Sequence, residues 1–360
     1  MAESNLSNQF KTTSERVTKI AALLSLLLAG LIVLSACMGY VKIGFVDIVR
    51  IIAAEITGNH NLTAHINDKF PAIQETWTAI VMEVRLPRIL TCAIVGAALA
   101  LSGVIFQGIL LNPLADPYTL GVSAGAAFGA SIAILLNLSA SFVSIPLFAF
   151  IGAAFTLFFV IFLSYSGRSP SPALSSNNLI LSGIIVAAIL SAGISFLKYV
   201  ADEQVAVIIF WLMGSFASKT WTDVLVTITF LIIGGAITFI FARDLNLISL
   251  GERSASTLGV DTKRVTLILL ITGSMLAAVS VSVSGIIGFV GLLVPHIVRF
   301  ITGPDNRLLI PISTLAGSIL LLMADTVTRS ILPHEIPIGI LTALIGGPVF
   351  CWIFKRGTIR

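Results

Sequence analysis

The chain has few side chains that could do chemistry, and none stands in a catalytic or nucleotide-binding pattern. No stretch matches G-x-x-x-x-G-K-[ST], the loop that holds nucleotide phosphates, and no H-E-x-x-H or paired-cysteine motif offers metal ligands. No serine combines the G-x-S-x-G pattern with the strand–turn–helix context that exposes a nucleophile. We therefore expect no catalysis by this chain, no resident metal and no bound cofactor.

Ionisable residues beside apolar runs are the next candidates, because charge is expensive inside a membrane. Asp325 and Arg329 are four residues apart, a spacing that lets them pair on one helix face. His296 and Arg299 stand near the end of another apolar run, where a helix-end role explains each. A proton- or sodium-coupled carrier usually has a carboxylate in the middle of a span, and we find none. An ion-coupled carrier remains an alternative, as does an intramembrane enzyme that uses His296 or Asp325.

The stretch Arg85-Leu86-Pro87-Arg88 places two guanidinium groups just before an apolar run. Anchoring in the membrane interface is one explanation for them. Because a planar guanidinium also suits bidentate pairing with carboxylates, an acidic partner protein outside the membrane is the other explanation.

A charged island at 243–264 separates two apolar runs and predicts a short helix at the membrane surface. Ser249 and Glu252 have the spacing of a capping box at the start of that helix. Gly259 stands where the helix would end in the left-handed conformation, and Asp261 can cap the following helix. A solvated loop is the alternative. The apolar residues that we expect on one side of the helix are Ile248, Leu250, Ala255 and Leu258.

Two polar stretches interrupt the apolar runs. Asn112-Pro113-Leu114-Ala115-Asp116-Pro117 forces a turn because proline cannot continue a helix. Ser175-Ser176-Asn177-Asn178 joins two later runs. Both stretches could be plain connectors, or they could supply uncharged hydrogen-bonding groups at the mouth of a pathway.

The composition indicates which kind of secondary structure carries these residues. The chain is 57% hydrophobic and 11% charged over 360 residues, whereas soluble domains have roughly 25% charged residues. This indicates an all-α polytopic membrane protein with about ten transmembrane helices, because a span needs about 20 apolar residues. A further apolar piece at 205–216 is too short to cross.

Gly121, Gly125 and Gly129 recur every four residues, which indicates close helix packing. The ten runs are 20–40, 89–111, 118–138, 142–165, 179–200, 221–242, 265–283, 286–302, 308–330 and 336–354.

Ten spans put both termini on one side of the membrane. If that side is the cytoplasm, it holds 13 of the 21 Lys and Arg residues, in agreement with the positive-inside rule. We therefore expect 1–19 and 243–264 to be cytoplasmic, 41–87 to be an external loop, and 20–360 to be one permease domain.

The run 20–40 contains Leu34-Ser35-Ala36-Cys37, which also resembles a lipoprotein cleavage box. The net charge of +4 is small and spread over loops, so nucleic acid is not an expected partner.

Four long motifs resemble the membrane subunits of the FecCD family, the ABC importers for iron-siderophores, haem and vitamin B12. The resemblance runs from about Arg85 to the C-terminus, and the motifs occur in the family's order. They are RLPRILTCAIVGAALALSGVIFQGILLNPLADPYTLGVSAGAAFG, LGERSASTLGVD, SGIIGFVGLLVPHIVRFITGPDNR and EIPIGILTALIGGPVF.

The resemblance implies a type II ABC importer permease in a bacterial or archaeal cytoplasmic membrane. Such a permease pairs with a second copy or a sister permease and binds two ABC ATPase subunits that use ATP and Mg²⁺. It receives an iron chelate, haem or cobalamin from an extracytoplasmic binding protein. The residues of this chain cannot decide among these ligands, or between a homodimer and a heterodimer.

The resemblance also implies roles for three groups of residues. The first group would seat in the ATPase, the second would face acidic residues of the binding protein, and the third would form the cytoplasmic gate. The groups are Leu250, Gly251, Glu252, Ala255, Leu258, Gly259 and Asp261 for the ATPase; Arg85, Arg88 and Arg329 for the binding protein; and Asn112, Pro113, Leu114, Ser176 and Asn177 for the gate.

Overall fold

The computed structural model describes residues 2–39, 41–59, 71–138, 144–165, 175–330 and 335–357. Within these residues the regular structure is helical and no strand occurs. Helices are expected in lipid because each satisfies its own backbone N–H and C=O groups. The helices are, in chain order, α1 (Ala2–Cys37), α2 (Phe45–Thr57), α3 (Pro71–Ala79), α4 (Leu86–Ile109), α5 (Val122–Leu135), α6 (Ser144–Ser164), α7 (Ser176–Val200), α8 (Val205–Leu212), α9 (Trp221–Ile240), α10 (Ala242–Ile248), α11 (Glu252–Thr257), α12 (Thr262–Ser284), α13 (Val290–Thr302), α14 (Asn306–Ser330) and α15 (Ile338–Gly357).

Each of the ten predicted apolar runs contains a helix, so the all-helical fold is confirmed. Among the described residues, seven helices are long and apolar enough to cross a membrane, and three apolar helices are shorter. The run 118–138 is shortened by a 3₁₀ turn at Pro117–Leu120 and by Gly121, whose φ is 73°. The run 286–302 is shortened because Phe289 has a φ of 67° and the helix begins only after it. The short piece at 205–216 forms α8.

Helix α4 is the central element of the fold. The most apolar window of Glu75–Ile109 is 94% buried, whereas the windows of α6, α7 and α9 are 33%, 28% and 22% buried. Helix α4 packs against α9, α12, α13 and α14. A helix that is apolar on all sides belongs in the interior of a bundle, which agrees with the burial of α4.

Close approach between backbones holds α4 against two of its neighbours. Gly96 of α4 faces Gly317 of α14, and Gly103 of α4 faces Gly291 of α13. A Cβ atom built at Gly96 or Gly103 would collide with the carbonyl oxygen of the facing glycine. Helix association in lipid relies on such van der Waals contact between small residues.

The glycines of the third run serve a similar purpose, as their spacing predicts. Gly125 and Gly129 of α5 lie against Gly152 and Phe148 of α6, where a Cβ atom would strike a backbone oxygen. Gly121 instead forms the turn before α5.

The predicted external segment 41–87 contains helices, and its location outside the membrane stays a prediction. Its described residues form α2, α3 and a π-helical turn, Ile80–Arg85, that runs directly into α4. Arg85 is the last residue of the π turn, and Arg88 lies in the first turn of α4. Arg85 and Arg88 therefore lie within one continuous helical segment and do not precede it.

Replacing Gly103 with leucine tests the importance of the α4–α13 contact. The added side chain must push two backbones apart, and overpacking of a core costs about 1–3 kcal/mol or more. We expect Gly103→Leu to lower the unfolding temperature of the detergent-purified protein or to prevent its folding. Gly30→Leu is the control, because a Cβ atom at Gly30 meets nothing within 4 Å. Equal effects of the two substitutions would contradict this account.

Candidate functional site

The charged island forms the short helix that the sequence predicts, α11 (Glu252–Thr257). Gly259, after the helix, has a φ of 90°, and the Asp261 carboxylate accepts the backbone N–H of Arg264 at 3.1 Å and caps α12. Both of these predictions are confirmed. The capping box is wrong, because the Ser249 hydroxyl donates to the carbonyl oxygen of Asn246 at 2.6 Å. Gly251 precedes α11 with a φ of 103°, and no side chain caps the helix there.

The apolar residues of the island are divided between two directions. Ile248 and Ala255 are buried, whereas the side chains of Leu250 and Leu258 are 67% and 61% exposed. The predicted single apolar side is therefore wrong. Two residues fasten α10 and α11 to the bundle, and two leucines that flank α11 remain available for contact with another protein.

An open cleft of about 240 Å³ joins this segment to the predicted gate. Ser176 and Asn177, at the start of α7, line it together with Leu111, which follows α4. Glu252 of α11 and Lys263 of α12 also line the cleft. The structure thus brings one predicted gate stretch and the predicted coupling helix to the same cleft.

The other predicted gate stretch forms the turn beside the cleft. The Asn112 carboxamide oxygen accepts the N–H of Leu114 at 2.9 Å, and Pro113 and Leu114 are exposed. The Asp116 carboxylate accepts the N–H groups of Tyr118 and Thr119 at 3.1 Å and 2.9 Å. These hydrogen bonds fix the turn that leads into α5.

A polar cluster that the sequence analysis missed anchors α10, the helix before α11. The Asn246 carboxamide donates to Asp305 at 2.7 Å. Its oxygen accepts from the backbone and side-chain N–H groups of Asn306 at 2.8 Å and 2.7 Å. Asp305-Asn306 at the start of an apolar run is a helix-start signal, but nothing local points to Asn246. The cluster ties the charged island to the first residue of α14.

At the far end of α14, Asp325 is held between two arginines. Arg88 Nη2 lies 2.9 Å from Asp325 Oδ1, and Arg329 Nε lies 3.7 Å from Asp325 Oδ2. The predicted pairing of Asp325 with Arg329 is confirmed, and Arg88 is its unpredicted second partner. The Arg88 Nη1 group also donates to the two Glu335 carboxylate oxygens at 3.0 Å and 3.1 Å. The Asp325 side chain is 1% exposed and that of Glu335 is 52% exposed.

The remaining arginines of this group bind the end of α1. Arg85 is buried and donates to the carbonyl oxygens of Ala36 and Val41. Arg329 donates to the carbonyl and hydroxyl oxygens of Ser35. All three arginines predicted to face a binding protein are therefore engaged inside the chain, and their docking role stays a prediction.

The residues considered for an intramembrane enzyme lie apart. His296 contacts the ring of Phe300 on α13 at 5.1 Å between ring centroids, near the cytoplasmic end in the predicted topology. Asp325 is occupied by arginines toward the other end of α14. Within the described residues, no group of three or more His, Cys, Asp or Glu side chains could hold a metal ion.

These features define a class of protein, a multi-pass helical permease with a surface helix that adjoins a polar cleft. The sequence profile of the FecCD transport family matches residues 26–356. The chain belongs to this family and is a membrane-spanning permease subunit of an ABC importer. Permeases of this kind work with ATPase and binding-protein partners.

Similar proteins agree with this assignment. The cobalamin import permease BtuC of Halobacterium salinarum is 42% identical, over 80% of this chain and 76% of that protein. The hemin transport permease HmuU of Yersinia pestis is 39% identical, over 76% of this chain and 83% of that protein. A solved inward-facing ABC transporter described as of the metal-chelate type is 34% identical, with a TM-score of 0.79 over 94% of this chain and 99% of that chain.

The two carboxylates that bind Arg88 should differ in their contribution to stability. Asp325→Asn removes the buried carboxylate that Arg88 and Arg329 share, and breaking such a buried pair costs about 3–5 kcal/mol. Glu335→Gln removes a half-exposed partner of the same guanidinium, a loss of at most about 1 kcal/mol because solvent screens it. Thermal unfolding of the two purified variants measures the difference. Equal losses would contradict the buried anchoring role of Asp325.

The free energy of unfolding should depend on pH through Asp116, in the predicted gate turn. Burial raises the pKa of Asp116 to about 6, although hydrogen bonds from the backbone N–H groups of Thr119, Tyr118 and Asp116 itself oppose the shift. Because the usual pKa of about 3.9 is lower, this group stabilises the fold most at low pH, and the contribution is lost as the pH rises through the raised pKa. Asp116→Asn keeps the hydrogen bonds and cannot ionise. We expect it to be more stable than the wild type at neutral pH, with the difference shrinking on acidification; a pH-independent difference would contradict the assignment.

Proposed function

We propose that the chain is the passive conduit of an importer that carries an iron chelate, haem or cobalamin into the cell. The cleft shared by Glu252, Ser176 and Asn177 is the main support, because it places a surface helix directly against a polar opening. The chain itself binds no cofactor and hydrolyses no ATP. Two partner ATPases supply the energy with ATP and Mg²⁺.

The coupling helix α11 is the element on which the ATPases act. Leu250 and Leu258 are the apolar contacts for them, since both side chains are exposed. Ala255 is buried and passes the displacement of α11 to the bundle. When the ATPases close, α11 shifts against the start of α7 and the cleft changes its shape. Motion between discrete packings is the expected mode for packed helices.

The external end meets the binding protein that delivers cargo. Of the three arginines, Arg88 is best placed for this contact, because its Glu335 partner is half exposed and can be exchanged for another carboxylate. Arg85 and Arg329 support the site by fixing the end of α1. Substituting glutamate at these two positions would disturb folding before it reported on docking.

The complete assembly has a second permease subunit, either a copy of this chain or a sister. It lies in the cytoplasmic membrane of a bacterium or archaeon with both termini in the cytoplasm. The distribution of Lys and Arg supports this orientation.

A test in cells separates this function from ion-coupled transport. Cells that express the transporter are depleted of ATP, or their proton and sodium gradients are collapsed with ionophores while ATP is maintained. We expect uptake to stop in the first case and to persist in the second. The reverse pattern would favour an ion-coupled carrier.

Gly251→Val tests the coupling helix. Gly251 has a φ of 103° and open space around a Cβ atom, so the substitution acts through backbone strain of about 1–3 kcal/mol. We expect loss of transport and of ATPase stimulation, with unchanged affinity for the transporter's binding protein. Gly58→Val is the matched control, because Gly58 has a φ of 66° and equally open space at the end of α2. Loss of docking in Gly251→Val would refute the separation of roles.

A further inference from the structure

A second open cavity, of about 400 Å³, lies along α7 at a distance from the cytoplasmic cleft. Its polar lining comes from Tyr118, Ser123, Ser191, Ser195 and Lys198. Ser191 is 15 residues beyond Ser176 on the same helix, or about 22 Å at ~1.5 Å per residue. Lys198 is about 33 Å from Ser176 by the same rise, a distance comparable to a bilayer's hydrocarbon core. One helix therefore joins this cavity to the gate.

The cavity has the size of a ligand site. Small-molecule pockets usually measure about 300–1,000 Å³ and orient their ligands with a few polar groups. Ser191, Ser195 and Lys198 follow one another at intervals of four and three residues and so share one face of α7. Three of the five polar residues thus form one stripe on α7, and the lining residues other than these five are apolar.

All five polar groups can donate a hydrogen bond, and the four hydroxyls can also accept one. The hydroxyls of Ser123 and Ser191 donate to no atom of the described part of the chain, so both can serve a ligand. The Tyr118 hydroxyl is already used by the carbonyl oxygen of Ile287, and that of Ser195 by the carbonyl oxygen of Ser191. Lys198 is half-buried and adds an ammonium group with three further donors.

The charge of Lys198 is not neutralised within the described residues. No carboxylate of that part of the chain lies within 4.0 Å of its ammonium group. The nearest acidic residues in sequence, Asp202 and Glu203, lie in the exposed turn after α7 and do not line the cavity. Lys198 is the one ionisable side chain among the lining residues that carries a positive charge, and no acidic side chain accompanies it there.

We propose that this cavity receives the cargo as an anion, and that Lys198 is the residue that selects a negatively charged chelate. The inference rests on the proposed import function and narrows its substrate class. Ferric complexes with free carboxylates and haem, through its propionates, fit this lining. Cyanocobalamin and ferrichrome carry no net charge, so Lys198 gives them no advantage over an anionic chelate.

The test uses the complete transporter in cells that lack their own iron-chelate and corrinoid uptake. Uptake of radiolabelled ferric citrate, haemin, ferrichrome and cyanocobalamin is measured, with expression of each variant quantified by an epitope tag. We expect uptake of an anionic cargo, reduced about tenfold by Lys198→Gln, since a hydrogen bond to a charged group is lost. Lys198→Arg should restore most of the rate. Lys42→Gln, at an exposed lysine outside the cavity, should leave it unchanged.

The outcomes distinguish a failure of the proposed import function from a failure of the inference about Lys198. If none of the four cargoes enters in a manner that depends on this chain, the proposed import function fails. If uptake is restricted to ferrichrome or cyanocobalamin, or if Lys198→Gln at normal expression carries an anionic cargo at the wild-type rate, the inference about Lys198 is overturned while the import function stands. If Lys198→Gln does not accumulate, Lys198→Glu and Lys198→Arg give the same comparison, and equal uptake by those two also overturns it.

Discussion

The ion pairs of Asp325 hold together the end of the bundle that faces away from the coupling helix. An ionised carboxylate that is 1% exposed must be compensated, and Arg88 and Arg329 provide the compensation. Because Arg88 belongs to α4 and Arg329 also binds the end of α1, the interaction joins three helices. It also explains why strongly basic residues occur next to an apolar run without facing solvent.

Helix α14 carries this anchor at one end and the Asn246 cluster at the other. Between them, Gly317 lies against Gly96 and keeps α14 close to α4. A helix that is fixed at both ends and packed along its length resists deformation. Movement is therefore more easily accommodated where packing is interrupted, in the cleft between α11 and the start of α7 and in the cavity farther along α7. The structure thus combines a rigid centre with two open regions along one helix.

The sequence predicts the helices well, because a chain in lipid has almost no alternative to helix formation and apolar length alone reveals a span. Local sequence patterns also predict the structure correctly where only a few neighbouring residues are involved. Examples are the left-handed conformation of Gly259 and the capping of α12 by Asp261. The Ser249 capping box failed since α10 extends to Ile248 and uses that hydroxyl at its own end. The pairing of distant residues could not be predicted. Arg88 and Asp325 are 237 positions apart, and the sequence around each residue gives no signal that identifies the other as its partner. The contacts of Arg85 and Arg329 with the end of α1 could not be predicted for the same reason.

The most direct test of the account is transport by purified components in proteoliposomes. The chain is reconstituted alone, or with its ATPase, binding protein and MgATP, and accumulation of labelled cargo against a gradient is measured. The account predicts uphill accumulation with the complete set and none with the chain alone. Uphill accumulation by the chain alone would show that it has an energy source of its own, and would contradict its assignment as a passive conduit.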